Sequence, residues 1–180
     1  VDKITVKDSK LKTVAANVTD TKAMTNIIAG HDAVVSAFNA GWTNPNIYND
    51  FLQGSKAIEA ATKDAGVNRY IVVGGGGSLY IDGKQIVDGP DFPAEIKPGA
   101  TAARDYLNLL KSDSTLDWTF LSPSLNLFPG ERTGKYRIGH ESPVFDEKGN
   151  SNISTADLAV AIVDELEKHQ FSRQRFTAGY

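Results

Sequence analysis

The chain has 180 residues, enough for one domain with a real core, and it contains no cysteine, which excludes disulfides, thiol chemistry and cysteine-ligated zinc. Its 19 basic and 22 acidic residues leave a net charge of -3 with no basic block, which argues against nucleic acid as a partner. No apolar run approaches the roughly 18 residues of a membrane span, so we expect one cytoplasmic domain over residues 1–180 with no membrane partner.

The first predicted element is a strand at residues 11–18, LKTVAANV. Thr19 or Asp20 can cap a helix over residues 21–29, which Gly30 ends. AVVSAF, residues 33–38, has the composition of a buried strand, and a loop, NAGWTNPN, follows. A helix is expected over residues 48–64, closed by Gly66, and then a strand RYIVV, residues 69–73. Asp82-Gly83 is a strong hairpin-turn signal between short strands in residues 80–87. Residues 88–98 read as a proline-rich loop, residues 100–110 as a helix with Tyr106 and Leu110 on one face, and residues 118–121 as a strand stopped by SPS. Residues 126–152 read as irregular. Ser154 and Asp157 have capping-box spacing for a helix that aligns Leu158, Ile162 and Leu166, and RFTA, residues 175–178, closes the pattern as a strand.

Strands alternating with helices specify an α/β fold: a Rossmann-like parallel sheet with helices on both faces. Ligands of such sheets bind beyond the carboxyl ends of the strands. The segments to watch are therefore Asn17-Val18, residues 38–42, residues 74–78 and residues 122–125.

A dinucleotide fold of this kind should open with a strand and G-x-G-x-x-G, and this sequence does not. The run Gly74, Gly75, Gly76, Gly77 does not replace it, because a hairpin follows rather than a helix aimed at a pyrophosphate. These glycines mark either backbone that must lie close to a flat cofactor or simple loop permissiveness.

TDTKAMTNIIAGHDAVVSAF resembles the middle of an atypical short-chain dehydrogenase. DWTFLSPSLNLFPGERTGKYRIG, DFPAE, GNSNISTADLAVAIVDELE and RQRFTAGY resemble the bacterial NmrA-like, NAD(P)H-binding proteins described as NADH-flavin reductases. The likeness covers nearly the whole chain. Members of that family carry about 35 further residues in front, holding the first strand, the GATGxxG phosphate loop, the first helix and the second strand of the sheet. We therefore expect these first strands to be missing here and the sequence to be a fragment of a longer protein. A complete protein of this extent should bind dinucleotide weakly or not at all.

The resemblance implies NADP or NAD as cofactor, with FMN or FAD as a possible substrate. It places Asn17 and Val18 at the adenine, and Phe38, Asn39 and Ala40 against the adenosine and pyrophosphate. Gly74, Gly75 and Gly76 would border the cofactor, and Pro123, Ser124 and Leu125 would flank the nicotinamide. Ser78 would sit near the nicotinamide and bond a substrate, so Ser78 and Ser124 are the catalytic candidates. Each has a structural alternative: Asn17 as a cap, Pro123 as a strand stop, Ser78 as a partner for loop backbone. In the related flavin and biliverdin reductase a histidine stands near the position of Ser124, and its absence here weakens any carry-over of bilin reduction.

Tyr80 and Lys84 have the Tyr-x-x-x-Lys spacing of standard short-chain dehydrogenases, but a turn separates them where that pair needs a helix. Trp42, Phe92, Pro93, Phe128 and Tyr136 could wall an apolar slot for a planar ring or pack as a satellite core. Glu131, Arg132 and Lys135 could meet an anion or simply be solvated. His31, His140 and His169 are scattered, and no metal site is expected. Two functions remain open: an NAD(P)H-dependent reductase of flavins or quinones, and a regulatory protein that senses NAD(P) without turnover. An epimerase would need the Tyr-Lys pair. A small planar substrate is expected, and a homodimer is left open.

Overall fold

A computed structural model of the protein describes residues 4–180. Helix α1 (Thr21–Ile28) starts where the Asp20 carboxylate accepts the Ala23 amide at 3.0 Å, and Gly30 (φ +79°) reverses the chain after it. Strand β1 (Ala33–Ser36), helix α2 (Ile47–Asp64) and strand β2 (Arg69–Val73) follow. Gly76–Ser78 forms one 3-10 turn. The hairpin β3 (Tyr80–Ile81) and β4 (Lys84–Gln85) then turns at Asp82 and Gly83, both at positive φ (49° and 76°) as a tight hairpin turn requires.

Helix α3 (Lys97–Leu110) begins inside the segment expected to be loop, because Pro98 fits the first helical turn, where no amide is needed. Strand β5 (Asp117–Pro123) runs through the centre. The segment expected to be irregular contains β6 (Asn126–Phe128), β7 (Arg137–Gly139) and the start of β8 (Asn152–Ser154). These three-residue strands carry too little periodicity to stand out in the sequence. Helix α4 (Thr155–Lys168) and β9 (Gln174–Gly179) complete the described chain.

The main sheet has the order β1-β2-β5-β9-β7. The first four strands are parallel, in register Ser36 to Val72, Val73 to Leu121 and Pro123 to Ala178, and β7 joins antiparallel at the β9 edge. One face packs Tyr70, Val72, Trp118 and Phe120 against Phe51 and Ile58 of α2 and Tyr106, Leu107 and Leu110 of α3. The other packs Leu121, Phe176 and Ala178 against Leu158 and Ala161 of α4. Trp118 and Phe120 thus face one way and Leu121 the other, as the period of a strand demands. Each large apolar side chain so buried contributes about 1.5–3 kcal/mol. Residues 11–18 are not a strand: they carry no ladder partner and residues 11–17 are exposed. A short stretch such as LKTVAANV gains strand structure from pairing rather than from propensity. No helix among the described residues is long and apolar enough to cross a membrane.

Candidate functional site

The carboxyl ends of β1, β2, β5 and β9 lie along one edge, because these strands are parallel and in register. The glycine loop leaves β2 there. Gly74 donates its amide to Leu121 O at 2.9 Å, so the loop first continues the ladder with β5. It then crosses the sheet face. A Cβ on Gly74 would stand 1.9 Å from Phe120 Cζ, one on Gly76 3.0 Å from Pro123 O and 3.4 Å from Leu125 Cδ2, and one on Gly77 3.2 Å from Ala100 Cβ. The run is therefore seated between β5 and the first turns of α3. Only Gly75 has ordinary room, with its nearest neighbour, Ala103 Cβ, at 3.5 Å. The loop and Pro123, Ser124 and Leu125 come together as expected.

The two serines do not present their hydroxyls to that edge. Ser78 is 1% exposed. Its Oγ donates to Gly75 O at 3.2 Å and accepts from Arg175 Nη1 at 3.0 Å. Ser124 is buried too and donates to Ala178 O at 2.7 Å. Both hydroxyls satisfy neighbouring backbone, Ser78 binding an arginine as well. Pro123 is the last residue of β5.

At the β1 end the Phe38 ring turns into the core. It stacks on Phe51 at 6.0 Å, and a Cβ on Gly54 would lie 2.4 Å from its edge. The ring, half-buried, thus packs against α2. Asn39 Oδ1 accepts the Gly41 amide at 2.7 Å, and Ala40 O accepts from Asn44 Nδ2 at 3.2 Å, so this turn is internally braced. Asn17 Oδ1 accepts the amide and the hydroxyl of Thr19 at 3.1 and 2.9 Å, a turn ahead of the Asp20 cap of α1, while Val18 packs against the main core.

The five loop aromatic and proline residues do not share one slot. Trp42 lies over the start of α3, where a Cβ on Gly99 would meet its ring at 2.8 Å, and it stays 58% exposed. The Phe92 edge lies 3.5 Å from the Cβ position of Gly77, and Pro93 O accepts the Lys97 amide at the foot of α3. Phe128 instead meets Tyr180 edge-on at 6.4 Å. Tyr136 packs beneath α4 and donates to Asp164 Oδ2 at 2.6 Å. Burial and that carboxylate push its phenol well above the ordinary range, so it stays neutral.

Tyr80 and Lys84 flank the hairpin turn, each paired across it to another residue. Glu131, Arg132 and Lys135 are exposed. His31 Nδ1 meets Ile28 O at 3.0 Å, His140 packs edge-on against Phe171, and His169 ends α4 in the left-handed region (φ 49°). Among the described residues no three His, Cys, Asp or Glu side chains group as metal ligands.

Sequence reasoning missed two buried charged groups beside this edge. Arg175 of β9 reaches Ser78, and Asp157 ties the loop at Thr133 and Gly134 to α4. The signal for the first was present: an arginine inside the apolar strand RFTA needs a buried partner. Nothing in the spacing named that partner.

The NAD(P)H-binding family matches residues 1–169. The uncharacterized protein YwnB of Bacillus subtilis is 39% identical over 150 residues, 81% of this chain and 69% of YwnB. Among solved structures, a candidate epimerase from Bacteroides thetaiotaomicron superimposes with a TM-score of 0.91 at 40% identity, covering 99% of this chain and 81% of that one. A candidate NADH-flavin reductase from Streptococcus pneumoniae superimposes with a TM-score of 0.79 at 36% identity, covering 97% and 83%. The Rossmann-like architecture read from the strand pattern is thus the architecture of these neighbours.

Proposed function

The chain belongs to the NAD(P)H-binding family, and from that premise we propose that it is a reductase passing a hydride from NADH or NADPH to a flavin or quinone. The observation that carries this reading is the inward commitment of both edge hydroxyls, Ser78 and Ser124. What is left where Gly76 meets residues 123–125 is backbone and the apolar Leu125, 45% exposed. Such a surface suits the stacking of two flat rings. When bound, the nicotinamide supplies the hydride; transfer to a stacked flavin needs proximity and orientation rather than an acid-base pair.

Gly75 and Gly76 and the residues 123–125 would border the nicotinamide, and the turn at Asn39 and Ala40 would lie toward the pyrophosphate. Epimerase chemistry is disfavoured, because Tyr80 and Lys84 stand on a hairpin. The name of the Streptococcus pneumoniae neighbour supports the reductase reading. The NmrA-like and short-chain-dehydrogenase character, a cytoplasmic location and a homodimer are parts of the same proposal, the last two tested by fractionation and by light scattering.

The test is a titration of full-length protein with NADPH and NADH, followed by nucleotide fluorescence, with and without FMN or a quinone. Tight binding with acceptor-dependent oxidation is expected. Tight binding without oxidation sinks the reductase and leaves a nucleotide sensor that acts through a protein partner. The exposed Ile138 on edge strand β7 and the exposed Phe145 favour that second reading. Binding of neither nucleotide sinks both.

A further inference from the structure

Arg175 lies on β9 opposite Phe120, and its side chain is 1% exposed. Its Nη1 donates to both the carbonyl (2.8 Å) and the hydroxyl (3.0 Å) of Ser78. Its Nε donates to Glu141 Oε1 at 3.2 Å, and Nη2 to the other carboxylate oxygen. Its guanidinium carbon stands 5.8 Å from the centre of the Tyr80 ring, and the Tyr80 amide donates to Glu141 O at 2.8 Å. Gln85 Nε2 adds a second donor to Ser78 O at 3.2 Å. One guanidinium therefore joins the end of the glycine loop, the hairpin and the bend that follows β7.

Stability alone does not explain the choice of side chain. Burying a guanidinium costs its hydration, and an apolar side chain between Phe120 and Tyr80 could fill the same space without that cost. What the planar fork supplies is direction: it fixes Ser78 from one side and Glu141 from the other, which a lysine's single ammonium cannot do. Ser78 lies two residues beyond Gly76, and Gly76 abuts residues 123–125. Glu141, 54% exposed, is the outer anchor of the clamp.

From this geometry we infer that Arg175 is a positioning residue. It fixes the end of the Gly74–Ser78 loop, and through that loop the backbone against which the nicotinamide lies. The inference rests on the nucleotide-binding reading above. Removing Glu141 frees the outer side of the clamp, at a cost in stability because the buried Arg175 guanidinium loses its carboxylate.

The experiment uses full-length protein and the variants Glu141→Ala and Arg175→Lys. Amide hydrogen exchange is followed in residues 74–80, and NADPH and NADH dissociation constants are measured by nucleotide fluorescence. In both variants exchange in the loop is expected to rise about tenfold while β2 and β5 keep their protection, and nucleotide affinity to fall about tenfold. With FMN as acceptor, KM for the nucleotide should rise more than kcat falls. Unchanged loop exchange, with nucleotide binding intact in the unaltered protein, overturns the inference alone. So does a loosened loop with unchanged affinity. An unaltered protein that binds neither nucleotide overturns the functional reading and, with it, the link to affinity, whatever the loop does.

Discussion

Tyr180 donates its phenolic hydrogen to Asp157 Oδ2 at 2.6 Å, the same oxygen that takes the Thr133 hydroxyl at 2.6 Å. Oδ1 accepts the amides of Thr133 and Gly134 at 2.9 and 2.8 Å. The capping-box spacing correctly located this helix start, since Ser154 Oγ accepts the Asp157 amide at 3.0 Å. The reciprocal half of the box is absent: the Ser154 amide goes to Tyr180, and the Asp157 carboxylate is spent on the loop that ends the segment 126–134.

That arrangement predicts a specific acid response. The Thr133 hydroxyl first, then Tyr180 and the two amides, lower the Asp157 carboxyl from 3.8 to about 2. A carboxyl depressed in the folded state stabilises fully above its unfolded value and loses that contribution as pH falls through the folded one. Asp157→Asn should therefore melt several degrees below the unaltered protein at pH 6. The gap should narrow as pH falls below 4 and toward 2. A gap that is constant across a series of melting curves from pH 6 to 2 contradicts the assignment.

At the opposite end of the strands, Arg69 and Glu165 form a buried pair at 2.6 Å. Glu165 Oε1 also accepts from Thr119 Oγ1 and the Phe171 amide, and Oε2 from the Gln170 amide. Removing one partner strands a buried charge. Glu165→Leu should cost about 3–5 kcal/mol in urea unfolding, whereas Arg69→Met combined with Glu165→Leu should recover much of that loss. Additive single effects in the double variant would show that the pair is not coupled.

How far the sequence was readable follows from where each signal comes from. RYIVV was legible to the residue, because a fully buried parallel strand is a continuous apolar run. Asp82-Gly83 was legible because only a few residues accept positive φ at both turn positions. β7 was not, since Arg137, Ile138 and Gly139 offer no pattern and are held by the β9 ladder. The expected strand at residues 11–18 failed for the same reason in reverse: its pattern was adequate, but no ladder holds it. At the edge, the sequence located Ser78 and Ser124 just beyond β2 and β5. It could not tell which way a hydroxyl turns, because the partners, Arg175 and Ala178, lie 97 and 54 positions away.

Ser122 and Thr177 face each other across β5 and β9, both fully buried, and neither hydroxyl has a partner among the described residues. An unpaired buried hydroxyl costs stability that an apolar side chain of similar shape does not. Thr177→Val and Ser122→Ala should each raise stability by about 1 kcal/mol in urea unfolding. A loss of that size instead would mean that the hydroxyls are satisfied in solution, most simply by a shared water.

The glycine run supplies the sharpest separation of packing from function. Gly74 has no room for a side chain, with Phe120 Cζ 1.9 Å from its Cβ position. Gly74→Ala should cost about 1–3 kcal/mol, and Phe120→Leu in the same chain should relieve part of it, because the obstacle is the ring. Gly75 differs. Its φ of -127° suits any residue, and its Cβ position has only an ordinary contact with Ala103. Gly75→Ala should leave stability within about 1 kcal/mol of the unaltered protein. If a nicotinamide lies against this backbone, the added methyl should nevertheless weaken NADPH binding about tenfold, since close approach is what a glycine permits. Unfolding curves and nucleotide titrations on the same two variants therefore divide the run. A Gly75→Ala protein with full stability and full affinity would leave Gly75 needed for neither packing nor cofactor and move the cofactor's flat face away from it.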